Sequence, residues 1–326
     1  MVVLTSCPLD RLCLLSNRSI QLQTLKHNNT LKTIGHILLF LLFAFSVQAQ
    51  TKTEVILLGT GTPYPDPSAS GPATVVKVGD RVFLFDAGAG VMRKVNAAGL
   101  PLSGPEAVFF THLHSDHTLG YADLILTTWI MRRTKALQAY GPHGLKSMTR
   151  HLLLAFAEDI DIRTKGLERE VPGGYRVDVH EITEGVVYER DGVRVTAIVV
   201  PHGSWKEAYG YRVDTPDRSI VISGDTAPSK NLMAASQGVD VLVHEVYLSR
   251  GVKVEDRPGG EFWPEYMRKF HTSELELGSL ANLAKPKLLL LTHIIRFGGT
   301  DEEIISGIRK AGFTGDVIAG TDLGRY

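Results

Sequence analysis

The chain has 326 residues, of which 44% are hydrophobic and 21% charged, and this composition is typical of a globular protein with a sizeable core. Lysine plus arginine and aspartate plus glutamate both number 35, so the chain has no net field that would gather polyanions. This balance argues against a dedicated nucleic-acid-binding protein.

The first predicted element is an N-terminal leader. An apolar run at residues 37–47 follows Lys26 and Lys32, and Val47-Gln48-Ala49 provides the small-x-small pattern that precedes signal-peptidase cleavage. The run is shorter than the roughly 20 apolar residues that a membrane-spanning helix needs. We therefore predict that residues 1–49 are a signal peptide with an extended polar n-region, that the mature protein has no membrane span, and that it is periplasmic or secreted.

Both cysteines of the chain, Cys7 and Cys13, lie in this leader. The mature protein would therefore contain neither disulfides nor zinc sites built from thiolates. Any metal must be held by histidine, aspartate or glutamate.

From Thr51 onwards, short β-branched runs alternate with longer helical stretches, which predicts one α/β domain over residues 50–326. Glycine and aspartate at 79–80 predict a hairpin between the second and third strands. The predicted strands are 54–58, 74–78, 81–85, 107–110, 137–139, 194–200, 208–213, 219–223, 239–243, 287–291 and 316–318. The predicted helices are 90–98, 118–133, 145–156, 230–236, 273–284 and 301–310.

Polar residues follow the last apolar residue of five predicted strands. In layered α/β folds such strand ends meet at one edge, where a site can assemble from residues far apart in sequence. These residues are His112, His202, Asp225, the pair His244-Glu245, and His293.

The densest group is Thr-His-Leu-His-Ser-Asp-His at residues 111–117. His112 and His114 are two apart in an extended segment, so both imidazoles point to one side, while Asp116 and His117 follow at the turn into a helix. We interpret the four as ligands of two metal ions, His112 and His114 on one ion and Asp116 and His117 on the other.

Three single residues complete this hypothesis. His202 is predicted to complete the first metal site and His293 the second, and the two oxygens of Asp225 suit a bridging ligand. The expected cofactor is two Zn²⁺ per chain, although Mn²⁺ or Fe²⁺ accept the same ligands. Asp116 is in addition a candidate catalytic base.

With these residues assigned, the chain resembles the metallo-β-lactamase superfamily over residues 53–326. The resemblance implies an α/β fold, a four-layer αβ/βα sandwich with metals at the sheet edge. True β-lactamases of the best-known classes carry cysteine where this chain has Asp225, which argues against lactam hydrolysis as the main activity.

Two further motifs resemble the ribonuclease Z and arylsulfatase branch, namely His244-Glu245 and Phe270-His271-Thr272-Ser273. The resemblance implies that Glu245 orients His271, which protonates the leaving oxygen while a metal hydroxide attacks phosphorus or sulfur. It also implies that Asp86 supports the metal site from behind. The competing interpretations are that Ser273 only caps a helix with Glu276, and that His244 is a core histidine.

The substrate is the least constrained prediction. Ribonuclease Z uses a basic arm to hold tRNA, whereas residues 145–200 here contain many acidic residues, which does not suit a phosphate-tracking surface. We therefore predict an exported binuclear zinc hydrolase of a small aryl sulfate or phosphate ester that does not act on nucleic acid. Trp129, Trp205 and Tyr209 are candidate aromatic walls for the ester, although such side chains are more often plain core or rim residues. A homodimer is compatible with this prediction.

Three alternatives stay open from the sequence. One is a ribonuclease Z-like phosphodiesterase or endoribonuclease, and another is a lactonase or β-lactamase-like hydrolase. The third, from a different class, is a non-catalytic metal-binding module.

Overall fold

The computed structural model describes residues 52–326, and the predicted leader lies outside these residues. The described residues form two β-sheets. The first sheet contains, in both sequence and spatial order, β1 (Thr53–Gly59), β2 (Ala73–Val78), β3 (Arg81–Phe85), β4 (Ala107–Phe109), β5 (Leu137–Gly141) and β6 (Val177–Glu181). The second contains β7 (Gly185–Arg190), β8 (Val193–Val199), β9 (Tyr209–Asp214), β10 (Ser219–Ile222), β11 (Val241–Tyr247), β12 (Leu288–Ile295) and β13 (Asp316–Ala319).

Each sheet is antiparallel in one half and parallel in the other. Strands β1 to β3 pair antiparallel and β3 to β6 parallel, while β7 to β10 pair antiparallel and β10 to β13 parallel. The predicted hairpin is present, with Val78 opposite Arg81 and Gly79 at φ 59°. Parallel strands place their carboxyl ends at a common edge, and this edge carries the ligand-type side chains.

Helices cover the outer faces of both sheets. In chain order they are α1 (Val91–Ala97), α2 (Ser115–Thr118), α3 (Tyr121–Ile130), α4 (Leu145–Ala155), α5 (Ala157–Lys165), α6 (Lys230–Ala235), α7 (Trp263–Phe270), α8 (Glu274–Ala284) and α9 (Asp301–Lys310). None of the helices within residues 52–326 combines the length and hydropathy that crossing a bilayer requires.

The core has three apolar layers, and alternation along the strands explains them. In β1, Val55 and Leu57 point between the two sheets, whereas Ile56 and Leu58 point outwards beneath helices α1 and α3. A third cluster packs the outer face of the second sheet against α6, α8 and α9. Helix, sheet, sheet and helix are thus stacked in four layers, and the predicted αβ/βα sandwich is confirmed.

Several predicted boundaries differ from the structure. The predicted helix 118–133 is the shorter helix α3 (Tyr121–Ile130), and the separate helix α2 (Ser115–Thr118) in front of it was not predicted. The two helices are divided at Gly120, which donates its N–H to the carbonyl of Ala87 and approaches Gly88 too closely for any side chain. Strands β6 and β7 and helices α5 and α7 were not predicted. The two strands and α5 are largely exposed, so their sequences lack the apolar period that marks a buried element.

Candidate metal centre

The ligand-type residues meet at one edge of the two sheets. His112, His202 and Asp225 follow the ends of β4, β8 and β10, as predicted. Glu245 and His293, by contrast, lie within β11 and β12, which continue further than the sequence indicated.

His293 reaches the centre through a β-bulge. Thr292 lies opposite Glu245 and Ile294 opposite Val246, so His293 is the extra residue, and its φ of 42° is left-handed. A bulge re-aims one side chain without ending the strand. This local irregularity turns the imidazole towards Asp116, whose Oδ2 lies 3.3 Å from Nε2 of His293.

Three histidines form the first group of donors. Nδ1 of His114 lies 2.9 Å from Nε2 of His112 and 3.2 Å from Nε2 of His202. Burial lowers the pKa of His112 well below its usual value and lowers that of His202 to about 4. The imidazoles are therefore neutral at pH 7, which is the form that binds metal.

Asp116, His117 and His293 form the second group. Oδ2 of Asp116 lies 3.5 Å from Nε2 of His117 in addition to its contact with His293. All three side chains are buried, and together they offer two nitrogens and a carboxylate within ligand distance of one another.

Asp225 lies between the two groups. Its Oδ1 is 3.3 Å from Nε2 of His117, and its Oδ2 is 3.6 Å from Nε2 of His293 and 4.0 Å from Nε2 of His112. Burial opposes ionisation of this carboxyl, but the surrounding imidazoles outweigh burial and hold its pKa well below the usual range. A fully buried carboxylate thus faces nitrogens from both groups.

Unpaired buried atoms indicate what the site holds. Nε2 of His117 and Oδ1 of Asp225 are both inaccessible to solvent and lie 3.3 Å apart, yet neither makes a hydrogen bond of acceptable geometry. Buried polar atoms without partners are costly, and a cation between them removes that cost. The nitrogen and carboxylate donors therefore fit a divalent metal.

Neighbouring residues hold the ligands in orientation. Asp86 accepts hydrogen bonds from N–H and Oγ1 of Thr111, and its Oδ2 lies 2.8 Å from Nδ1 of His117. His202 donates Nδ1–H to the carbonyl of Phe270 at 2.8 Å. In both His117 and His202 these hydrogen bonds occupy Nδ1, and Nε2 is left for the metal.

His271 lies next to this cluster, as the motif predicted. Its Nδ1 is 3.2 Å from Oε1 of Glu245 and 4.0 Å from Oδ2 of Asp225. Burial opposes protonation, but the charge and hydrogen bond of Glu245 outweigh it and raise the pKa of His271. The same ring also lies within ligand distance of Asp225 and His293, so its geometry fits either a proton donor or a metal ligand.

The competing structural interpretations of these motifs prove compatible with the site. Ser273 and Glu276 form the capping box of α8, while the preceding His271 still faces Glu245. His244 is buried, and its Nδ1 lies 2.6 Å from the carbonyl of Glu245. His244 lies outside the three groups of ligand-type residues found in the described chain.

Two of the three candidate aromatic walls are core residues instead. Trp129 and Tyr209 are buried in the core, where they donate to the carbonyls of Val171 and Ile182. Only Trp205 reaches the centre, because its Nε1 donates to Nε2 of His114 at 2.8 Å.

A cavity of about 640 Å³ opens over the cluster. Its lining includes the aromatic side chains of Trp263, Tyr266 and Phe297, which the sequence analysis did not assign to the site. It is lined by Asp116, Asp225, His271 and His293, by helix α7, by the segment after β12, and by the loop between β1 and β2. Apolar residues at 263, 266, 267 and 270 repeat at helical spacing, and this signal could have predicted α7.

Asp322, near the C-terminus, clamps the loop between β1 and β2. One of its oxygens accepts from N–H and Oγ1 of Thr60, and the other accepts from N–H of Ser70 and lies 2.8 Å from Nζ of Lys94. Thr60 and Ser70 are the two ends of the loop that walls the cavity. Asp322 thus fixes the loop at both ends while its own side chain is only 7% exposed.

We expect Asp322→Ala to raise KM more than it lowers kcat, because it loosens a cavity wall and leaves the metal-ligand cluster intact. It should also lower the free energy of unfolding by about 2 kcal/mol, since buried N–H groups lose their acceptor. Steady-state kinetics and thermal unfolding measure the two effects. Asp316→Ala, at an exposed aspartate of β13, is the matched control. An unchanged KM would contradict the clamping role.

The chain is similar to known proteins in both sequence and fold. A family model described as beta-lactamase superfamily domain matches residues 81–294. Ribonuclease Z of Mycobacterium sp. (strain KMS) is 36% identical over 228 residues, which cover 69% of this chain and 78% of that protein. Ribonuclease Z of Mycobacterium bovis is 33% identical over 266 residues, covering 78% of this chain and 91% of the relative.

Among solved structures, the short form of human tRNase Z superposes with a TM-score of 0.61 at 21% identity, over 84% of this chain and 98% of that one. At this identity the likeness concerns the fold.

Proposed function

The chain belongs to the beta-lactamase superfamily, in the ribonuclease Z-like branch of its metal-dependent hydrolases, and from this we propose that it cleaves phosphodiester bonds at the centre described above. The observation that carries the proposal is the convergence of six histidine and aspartate side chains on Asp225, with His271 and Glu245 beside them. This arrangement suits an ester with a poor leaving group, because it combines ligands for a Lewis acid with a separate imidazole.

For the metal, we propose two Zn²⁺ ions, with Mn²⁺ or Fe²⁺ as alternatives. His112, His114 and His202 would hold one ion, Asp116, His117 and His293 the other, and Asp225 both. Bound there, the ions would supply Lewis acidity that activates water and stabilises negative charge on the ester oxygens.

The remaining chemistry falls to the protein's own residues. Glu245 Oε1 keeps a proton on Nδ1 of His271, which leaves Nε2 as the atom that passes a proton to the leaving oxygen. Glu245 is itself fixed by the N–H of Thr226 at 3.0 Å. Asp116 is positioned as a base that accepts a proton from attacking water.

The similarity to ribonuclease Z corrects the prediction that nucleic acid is not a substrate. The names of these relatives state an action on RNA, so RNA becomes the first candidate substrate. The acidic segment is also weaker evidence against RNA than its sequence suggests, because some of its carboxylates pair with basic residues of the same segment. Arg163 lies 3.0 Å from Asp159 and 2.7 Å from Glu168.

A second candidate, a small aryl sulfate or phosphate ester, is favoured by the aromatic lining of the cavity. A cavity of this size suits a small ligand. Export by a cleaved leader, a periplasmic or secreted location and a homodimer are further proposals.

The test is turnover of three substrates by the metal-loaded full chain: a tRNA precursor, bis-p-nitrophenyl phosphate and p-nitrophenyl sulfate. We expect both phosphodiesters to be cleaved and the sulfate ester to be cleaved poorly. Turnover of bis-p-nitrophenyl phosphate or of the sulfate ester without cleavage of the tRNA precursor would establish the second candidate instead.

A further inference from the structure

Tyr266, on helix α7, has a ring that is held between two other aromatic rings. It is nearly parallel to the ring of Trp263, with centroids 4.9 Å apart and an interplanar angle of 10°. The ring of Phe270 stacks on it at 4.2 Å and 21°. These two neighbours cover the faces of the ring, so Tyr266 offers any further partner only its edge and its hydroxyl.

The hydroxyl of Tyr266 makes no hydrogen bond within residues 52–326, whereas other tyrosines use theirs in the fold. Tyr211 donates to the carbonyl of Phe110 at 2.6 Å, and the hydroxyl oxygens of Tyr121 and Thr149 lie 2.9 Å apart. Tyr266 is half-buried, and a buried tyrosine hydroxyl usually finds a partner. Its O–H is therefore available as a donor to a ligand.

This hydroxyl belongs to the cavity over the candidate metal centre. Tyr266 lines that cavity together with Asp116, Asp225 and His271, and its ring centroid lies 5.9 Å from that of His271. Burial and the charges of Asp225, Asp116 and Glu245 raise the pKa of Tyr266 to about 12. The hydroxyl thus lies within the field of the carboxylates at the centre, and at pH 7 it keeps the proton that it can donate.

Other side-chain donors of the cavity lining are less suited to hold an oxygen of the substrate. Oγ1 of Thr60 already donates to a carboxylate near the C-terminus, and Nε of Arg296 lies 2.7 Å from Oδ1 of Asp301. Tyr64 also lines the cavity, but it is 76% exposed. Tyr266 combines a free hydroxyl with a ring that its neighbours fix in place.

We propose that the hydroxyl of Tyr266 donates a hydrogen bond to a non-bridging oxygen of the bound ester and stabilises the negative charge on that oxygen in the transition state. Tyr266 is then a catalytic residue, separate from the metal ligands and from the proton donor His271. A donor that is fixed before the substrate binds needs no reorganisation when the charge develops. The inference rests on the proposed function, because it assigns one contact in the hydrolysis proposed for this centre.

The first test is Tyr266→Phe, which removes the hydroxyl and keeps the stacked ring. We expect kcat/KM for bis-p-nitrophenyl phosphate to fall by about 10², the lower end of the range for a fixed donor to an oxyanion. Thermal unfolding and metal content should match the wild type, because no ligand and no ring contact is lost. Tyr175→Phe is the matched control, since Tyr175 packs on Trp129 and does not line this cavity.

The second test does not depend on turnover. It measures the binding of methylphosphonate to the metal-loaded full chain by isothermal titration calorimetry, because this anion offers charged oxygens and no scissile ester bond. Tyr266→Phe should weaken its binding by about tenfold or more, the usual contribution of a hydrogen bond to a charged group. Tyr175→Phe should bind methylphosphonate as the wild type does.

Three results would overturn the inference. These are an unchanged kcat/KM in Tyr266→Phe, a loss of bound metal in that variant, and a larger loss of kcat/KM in Tyr64→Phe than in Tyr266→Phe. Failure of the proposed function looks different, since methylphosphonate binding would then still depend on Tyr266 although no phosphodiester is cleaved.

Discussion

Asp225→Ala is expected to lower kcat/KM for bis-p-nitrophenyl phosphate by about 10³ or more. The carboxylate faces Nε2 of His117 at 3.3 Å and of His293 at 3.6 Å, so it is the residue that joins the two groups of donors. A metal site supplies several kcal/mol of transition-state stabilisation, and each 1.36 kcal/mol corresponds to tenfold in rate, which gives about 10³.

The measurement pairs kinetics with elemental analysis of purified protein. We expect two metal ions per wild-type chain and fewer in Asp225→Ala. Asp123→Ala serves as the control because Asp123 is exposed on α3, and it should keep both metal and activity. A variant without Asp225 that retained two ions and full activity would show that Asp225 is not the bridge. Well-folded wild-type protein without bound metal would favour a non-catalytic module.

His271→Asn is expected to lower kcat by about 10² to 10⁴ for esters with poor leaving groups, which is the usual contribution of a general acid. With p-nitrophenolate as leaving group the loss should be much smaller, because that anion leaves without a proton. The measurement is kcat for a series of aryl phosphodiesters of increasing leaving-group pKa. The decrease of kcat with leaving-group pKa should be steeper in the variant than in the wild type.

Glu245→Gln tests the contact between Glu245 and His271 independently, through the pH dependence of kcat. Because Glu245 raises the pKa of His271, its replacement should lower that pKa. A general acid is active while protonated, so the decline of kcat at high pH should begin at a lower pH in the variant. His151→Gln, at an exposed histidine on α4, is the control. For His271→Asn, an equal loss of kcat with every leaving group would indicate that His271 acts as a metal ligand instead.

The candidate ligands could be predicted because their pattern is local. His112, His114, Asp116 and His117 occupy four of six consecutive positions, and such density has few uses other than metal binding. The single residues His202 and Asp225 were recognisable because each follows an apolar strand. The structure brings all of them together, and their roles as ligands await the experiments above.

The fold was predictable for a related reason. Buried strands and helices repeat their apolar residues at the period of their own geometry, so β1 and α8 were visible in the sequence. Strands β6 and β7 lie on the surface, and without one buried face their sequences carry no such period. The resemblance to a known superfamily then supplied the four layers that individual elements could not.

Substrate specificity was predicted least well. From composition, the acidic segment argued against RNA, and Trp129 was one candidate for a cavity wall. The structure shows that two of the carboxylates, those of Asp159 and Glu168, pair with Arg163 and that Trp129 is in the core. Charge counts and residue types do not report which side chains share a surface.

The sequence by itself determined the kind of chemistry, because metal-ligand spacing and strand ends are properties of neighbouring residues. The tertiary structure alone decided the shape of the cavity. Asp322 binds Thr60 across 262 residues, and Trp205 binds His114 across 91. Such contacts depend on how two sheets and their connecting loops pack together, and the period of any one segment carries no information about that packing.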